Sequence, residues 1–336
     1  MTARYTPRTR LSILLHKTVA IAASTGLLAL VAISAHAQNY PAQSIRMIVP
    51  FGPGTSTDTV ARIMANGMAE SLGKTIIVEN KAGAGGTIGT EQVARAPADG
   101  YTIVMGTVGT HAINKTLYKK LGYDPVKDFV PLGLVGQTPT LLVVKADSPL
   151  RSLNDLATAA AKPGGISFGS AGNGTSGHLA GELLKMRLGG EMTHVPYKEG
   201  GMAVTDVISG QTQFMFYHPA ATLPHIKSGK LRALGSSGAT RSASAPDVPT
   251  IAEQTGKDFD LVAWFMIYAP AATPTPIIET LRKAARAALS NQDVAAKLSN
   301  QGIEQRPLTT EELGTFTQDE ISKWAELVTQ SGAQID

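Results

Sequence analysis

Ile45-Arg46-Met47-Ile48-Val49-Pro50-Phe51-Gly52-Pro53-Gly54-Thr55-Ser56-Thr57-Asp58 passes from an apolar run through a glycine-rich turn into a helical pattern that reaches Leu72. The same succession recurs along the chain. Apolar runs at 45–50, 75–78, 101–105, 141–144, 166–168, 193–196, 214–216, 231–234 and 261–268 predict strands. Between them, 58–72, 88–95, 152–161, 177–188, 203–209, 276–289 and 310–329 carry helical spacing. Near-continuous apolar strands alternating with helices predict an α/β fold, with parallel sheets covered on both faces. No internal repeat of 20–50 residues and no flexible linker is visible, so any two halves are joined by strand-like crossings.

Working outward, residues 1–37 read as a targeting segment. Arg4, Arg8, Arg10 and Lys17 form a basic start, 18–34 is almost wholly apolar or small, and Ala35-His36-Ala37 is an A-x-A cleavage site. That order is what a secretory signal peptide needs. The alternative, an N-terminal anchor, has too short a run and lacks a stop-transfer cluster. Cleavage after Ala37 takes four of the 30 cations. The 26 that remain match the 26 Asp and Glu, so the net charge of +4 falls to zero. A concentrated cationic face for nucleic acid is therefore not expected. No later apolar run is long enough to span a bilayer, and a soluble periplasmic protein is the expectation. With no cysteine, thiol catalysis, disulfides and Cys-ligated metals are excluded.

In open α/β sheets, ligands sit beyond the carboxyl ends of strands. Three such loops share one composition: 51–58, 106–111 and 169–178, rich in Gly, Ser and Thr and almost uncharged. Glycine admits close backbone approach, and a helix N-terminus offers unpaired N–H donors with partial positive charge. Several such loops facing one cleft make an anion site without Arg or Lys. Ser56, Thr57, Asp58 and Thr175 are also ordinary capping residues, and capping alone explains any one loop. Thr107 and Thr110 belong to the second loop. Tyr217 and His218, after strand 214–216, offer a wall with hydrogen-bonding tips, or merely an amphipathic rim, as does 197–201.

Catalytic and cofactor patterns fail one by one. Gly172, Gly174 and Gly177 fit G-x-G-x-x-G, with Glu191 and Glu199 near ribose-binding distance, but the match is weak among 34 glycines. There is no P-loop. The stretch 174–178 lacks the last glycine of a nucleophile elbow. Ser71 and Lys74 match S-x-x-K without its partner motifs. His111, His178, His194, His218 and His225 show no i, i+4 metal spacing, and no paired carboxylates stand in the loops. No enzyme activity, cofactor or metal is expected. The rival is an exported hydrolase using Ser176 or Ser170.

At these loops the sequence resembles the Bug, or TctC-like, extracytoplasmic solute receptors of tripartite tricarboxylate transporters. The resemblance is carried by Ile45 to Phe51 with Pro53-Gly54 and Asp58, by Val78-Glu79-Asn80-Lys81 with Gly83-Ala84-Gly85-Gly86, and by Asp99-Gly100-Tyr101-Thr102. Its most specific block is Ser170-Ala171-Gly172 with Gly174-Thr175-Ser176 and His178-Leu179-Ala180-Gly181-Glu182, followed by Val195-Pro196-Tyr197-Lys198 and Pro224-His225-Ile226-Lys227. It implies a two-lobed Venus flytrap with parallel or mixed sheets flanked by helices and two crossings between lobes: 38–140 with 264–336 as one lobe, 141–263 as the other, and hinges near 137–141 and 262–265. It implies Phe51, Gly54, Thr55, Ser56, Asp58, Ser170, Ala171, Gly174, Thr175 and His178 as contacts to a small carboxylate. It further implies a monomer that docks on membrane permease subunits, or on a sensor kinase. Two departures matter. Thr55 stands where the family often has a second glycine, and Tyr217 stands where it commonly has Asp. The missing Asp turns the expectation from amino acids towards a di- or tricarboxylate or an aromatic acid.

Overall fold

The computed structural model describes residues 40–335. The proposed leader and its cleavage site lie outside the described residues. From Gln43 onward the chain forms one compact unit, which holds all the elements named below.

The strands are β1 (Ile45–Val49), β2 (Ile76–Asn80), β3 (Thr102–Thr107), β4 (Phe129–Pro139), β5 (Leu141–Lys145), β6 (Ile166–Ser170), β7 (Met192–Pro196), β8 (Phe214–Tyr217), β9 (Leu231–Ser236) and β10 (Val262–Pro270). The helices are α1 (Ser56–Leu72), α2 (Thr87–Ala94), α3 (Asn114–Leu117, entered through the π-type turn Gly109–Ile113), α4 (Leu153–Ala160), α5 (Ser176–Leu188) and α6 (Gly200–Ser209). They continue with α7 (Pro219–Lys227), α8 (Ile251–Thr255), α9 (Thr275–Ser290), α10 (Gln292–Asn300) and α11 (Thr310–Ser331).

Two five-stranded sheets result, in the orders β2-β1-β3-β10-β4 and β7-β6-β8-β5-β9. Each sheet with its helices forms a lobe. In the first, β1 runs parallel to β2 and β3, while β10 is antiparallel to β3 and β4. In the second, β6 runs parallel to β7 and β8, while β5 is antiparallel to β8 and β9. Both sheets are thus mixed, which the expectation of parallel or mixed sheets in a two-lobed fold includes. The apolar continuity of β5 and β10 reports burial on both faces and carries no information about strand direction.

The two sheets are topological twins. β1 and β6 hold the same place, each followed by a glycine turn and a long helix. The sequence shows this only as a five-residue motif, Gly-x-Gly-Thr-Ser, at 52–56 and again at 172–176. The longest strand, β4, is missing from the sequence reading because Pro131, Gly133, Gly136 and Pro139 interrupt it. It survives as an edge strand, where a missing N–H is tolerated.

The chain crosses between lobes at Thr140 and again where β10 begins. Ser237 joins the two crossings. Its buried Oγ accepts from Thr140 N and Thr140 Oγ1, both at 2.9 Å, and donates to Leu261 O at 2.6 Å. Helix α11 adds a second tie, packing on the π-type turn and α3 of the first lobe and on α5 of the second. Glu320 accepts from the buried indoles of Trp264 (2.7 Å) and Trp324 (3.0 Å), which fastens α11 to a crossing strand. Among the described residues, no helix is long and apolar enough to cross a membrane.

Ser236 and Ser237 are both fully buried, but Ser236 Oγ has no hydrogen-bond partner among the described residues. Ser237→Ala strands two donors and a carbonyl and should cost about 2 kcal/mol or more in urea unfolding, whereas Ser236→Ala should cost far less.

Candidate functional site

The first glycine turn is built by its own residues. Thr55, extended at φ −72°, caps α1: its Oγ1 accepts from Asp58 N at 3.3 Å and donates to Gly52 O at 2.8 Å. Gly54 sits at φ +76°, a conformation that favours glycine, and its N–H donates to Asp58 Oδ2 at 2.9 Å. Asn80 closes the turn from β2, donating to Phe51 O and Asp58 Oδ1, each at 2.9 Å. Burial pushes the Asp58 carboxyl up, but hydrogen bonds from Arg62, Gly54 and Asn80 together hold it below the usual carboxylate range.

The turn after β6 repeats this design. Thr175 caps α5, donating to Gly172 O at 2.8 Å and accepting from His178 N at 3.4 Å. Gly174 has φ +75°, and its N–H donates to His178 Nδ1 at 3.2 Å. His178 therefore does in the second lobe what Asp58 does in the first. Because Nδ1 accepts, this ring is neutral with its proton on Nε2. His178 stacks on His194 at 4.0 Å, and His194 Nε2 lies 2.7 Å from Ser170 Oγ.

In the 106–111 loop, Thr107 N donates to Thr110 Oγ1 at 2.9 Å, and Tyr123 Oη donates to Thr110 O at 2.6 Å. This loop meets the second lobe directly: a Cβ on Gly109 would lie 2.7 Å from Gly174 O, and one on Gly174 would strike the Asn114 side chain. On the other flank, a Cβ on Gly52 would lie 2.7 Å from Glu199 Oε1.

Between these contacts lies a cleft. From the first lobe, Phe51, Thr55, Ser56 and Thr107 line it; from the second, Ala171, Thr175, Tyr217 and His218 do. These eight are brought together. Gly54, Asp58, Thr110, Ser170, Gly174 and His178 do not line it; they shape the turns from behind. Sequence reasoning missed Trp264 and Phe265, which line the cleft from β10; their place in a predicted hinge was the available signal. Lys198 and Glu199, from the 197–201 stretch that the sequence offers as a wall or a rim, put one cation and one carboxylate on the cleft wall. The loops hold no cation, but the cleft as a whole does.

Among the described residues, two polar atoms of the cleft lining are buried without a partner, Ser56 Oγ and His218 Nδ1. Burial lowers His218 to about 4, so the ring is neutral near pH 7, and burial, then Glu199, pushes Tyr217 up to about 12. Ser176 Oγ lies 3.4 Å from His218 Nε2. Among the described residues, no carboxylate orients that ring from Nδ1, as a hydrolytic triad requires. Ser170 is fully buried and away from the cleft. Among the described residues, no group of three His, Asp or Glu is placed to hold a metal.

Residues 60–333 match the profile of the tripartite tricarboxylate transporter family receptors. BugT of Bordetella pertussis is 38% identical over 301 residues, covering 89% of this chain and 92% of that protein. Among solved structures, the periplasmic binding protein BugD is 36% identical with a TM-score of 0.81, over 88% of this chain and 99% of its own. Two others come from Rhodopseudomonas palustris: Rpa4515 with adipate (32%, TM-score 0.83, 88% and 100% coverage) and MatC with bound malate (34%, TM-score 0.80, 86% and 100%).

Burial holds His111 and His194 to about 3 and His178 and His218 to about 4. Unfolded histidine titrates near 6.5, so below that pH the unfolded chain binds more protons and stability falls. Urea unfolding at pH 7 and pH 5 should show a loss on the order of 1 kcal/mol per pH unit for each such ring. Equal stability at both values would contradict the neutral, buried assignment.

Proposed function

The chain belongs to the tripartite tricarboxylate transporter receptor family, and from that premise we propose that it is a periplasmic receptor for a small di- or tricarboxylate or aromatic carboxylic acid. It is exported by its leader, cleaved after Ala37, and acts as a monomer without catalysis. One lobe comprises 38–140 and 264–336, the other 141–263. The acid sits in the cleft and the lobes close on it, turning at the crossings near 137–141 and 262–265. The closed receptor then delivers it to the membrane subunits of a tripartite transporter.

One observation carries this reading. The capping threonines and first serines of α1 and α5, Thr55-Ser56 and Thr175-Ser176, line the same cleft from opposite lobes. Amides in the first turn of a helix have no partner within that helix. Two such turns on one gap favour an anionic oxygen between them. The adipate and malate in two structural neighbours support a carboxylate. Ligand contacts both lobes only when they are closed, so binding shifts the balance towards closure.

A thermal-shift screen of carboxylic acids should raise the melting temperature with di- or tricarboxylates or aromatic acids; stabilisation by amino acids alone would overturn the ligand class. With the stabilising acid at saturation, small-angle scattering should show a smaller radius of gyration, and unchanged dimensions would contradict closure. Ester substrates should not be turned over; hydrolysis lost in Ser176→Ala would replace the receptor reading.

A further inference from the structure

Glu199 is a charged group in the cleft that the carboxylate reading does not use. It follows β7 and is half-buried on the cleft wall. It occupies the cap position of α6 but makes no cap hydrogen bond with its side chain. Its carboxylate reaches the first lobe at Gly52 and stands close enough to Tyr217 to bear on that phenol's ionisation. Among the described residues that carboxylate has neither a hydrogen-bond nor an ion-pair partner. An ionised carboxylate that loses water when lobes meet needs a donor, or it costs free energy.

We propose that Glu199 is a specificity-determining residue that accepts a hydrogen bond from a hydroxyl of the bound acid, so that the ligand is a hydroxylated carboxylic acid. This rests on the receptor reading above. The turns at 52–56 and 172–176 take the carboxylate, and the hydroxyl faces Glu199. Lys198, exposed beside it, also lines the cleft and keeps the local charge near zero. That neighbour explains why an anionic ligand is not driven off, and it disfavours a ligand ammonium. A site built to bond a ligand hydroxyl rejects the analogue lacking it, because an acceptor that loses water on binding is then left unpaired.

Calorimetric titration of matched acids tests this: succinate, malate and aspartate, then benzoate, 4-hydroxybenzoate and 4-aminobenzoate. In the series that binds, the hydroxy acid should bind about tenfold tighter than its unsubstituted parent, or more. Glu199→Ala should bring that ratio near one, and Glu199→Gln, which keeps an acceptor without charge, should fall between. An unchanged ratio in Glu199→Ala, an equal weakening of all members, or a preference for the amino acid would overturn the assignment while leaving a carboxylate receptor intact. Failure of every acid in both series and in a broad carboxylate panel to bind would overturn the receptor reading, and this one with it.

Discussion

The opening turns of α1 and α5 contain N–H groups that no carbonyl of their own helix can reach. In most helices, caps and water satisfy them. Here the caps are only partial: Thr55 and Thr175 each take one amide, and Asp58 and His178 each take the amide of a glycine. The turns are held rigid from behind by side chains that face away from the cleft. Rigidity matters because a loosely held amide would gain its bond to a ligand at the expense of ordering the loop. The second lobe achieves this with a neutral histidine where the first uses a carboxylate paired with Arg62. The two halves of the grip therefore respond differently to acid: protonation of His178 removes the acceptor for Gly174, while Asp58 keeps its charge to lower pH.

The same economy explains how the lobes stay coupled. Ser237 ties both crossings to one hydroxyl, and Glu320 ties α11 to β10 through two indoles. An apolar cluster runs from Val104 and Leu134 through Trp264 and Trp324 to Phe168 and Phe216. On this frame the proposed closure needs only a hinge at a few bonds, with neither core rearranged.

Much of this was legible in the sequence. Apolar runs such as 45–49 and 166–168 end at glycine turns, and Thr175, read as a capping residue, does cap α5; the cap of α1 is Thr55, just before the Ser56, Thr57 and Asp58 read for that role. Strand direction was not legible, because burial dictates composition and not pairing. Helix α7 was missed because Pro224 lies inside it, and β4 because of its prolines. Within the site, the residues that line the cleft were drawn from the same turns as those that brace it. Composition could not separate the two, since which way a side chain faces depends on the opposite lobe. Glu199 is the clearest case: its meaning comes from Gly52, far away in the chain.

The central claim is that both glycine turns hold one anionic group of the ligand. A crystal structure of the protein with its stabilising acid tests it most directly. The account predicts a carboxylate between α1 and α5, its oxygens about 2.7–3.2 Å from amides or hydroxyls at both turns, directly or through one water. A carboxylate held by Lys198 alone, or seated outside the cleft, would contradict it.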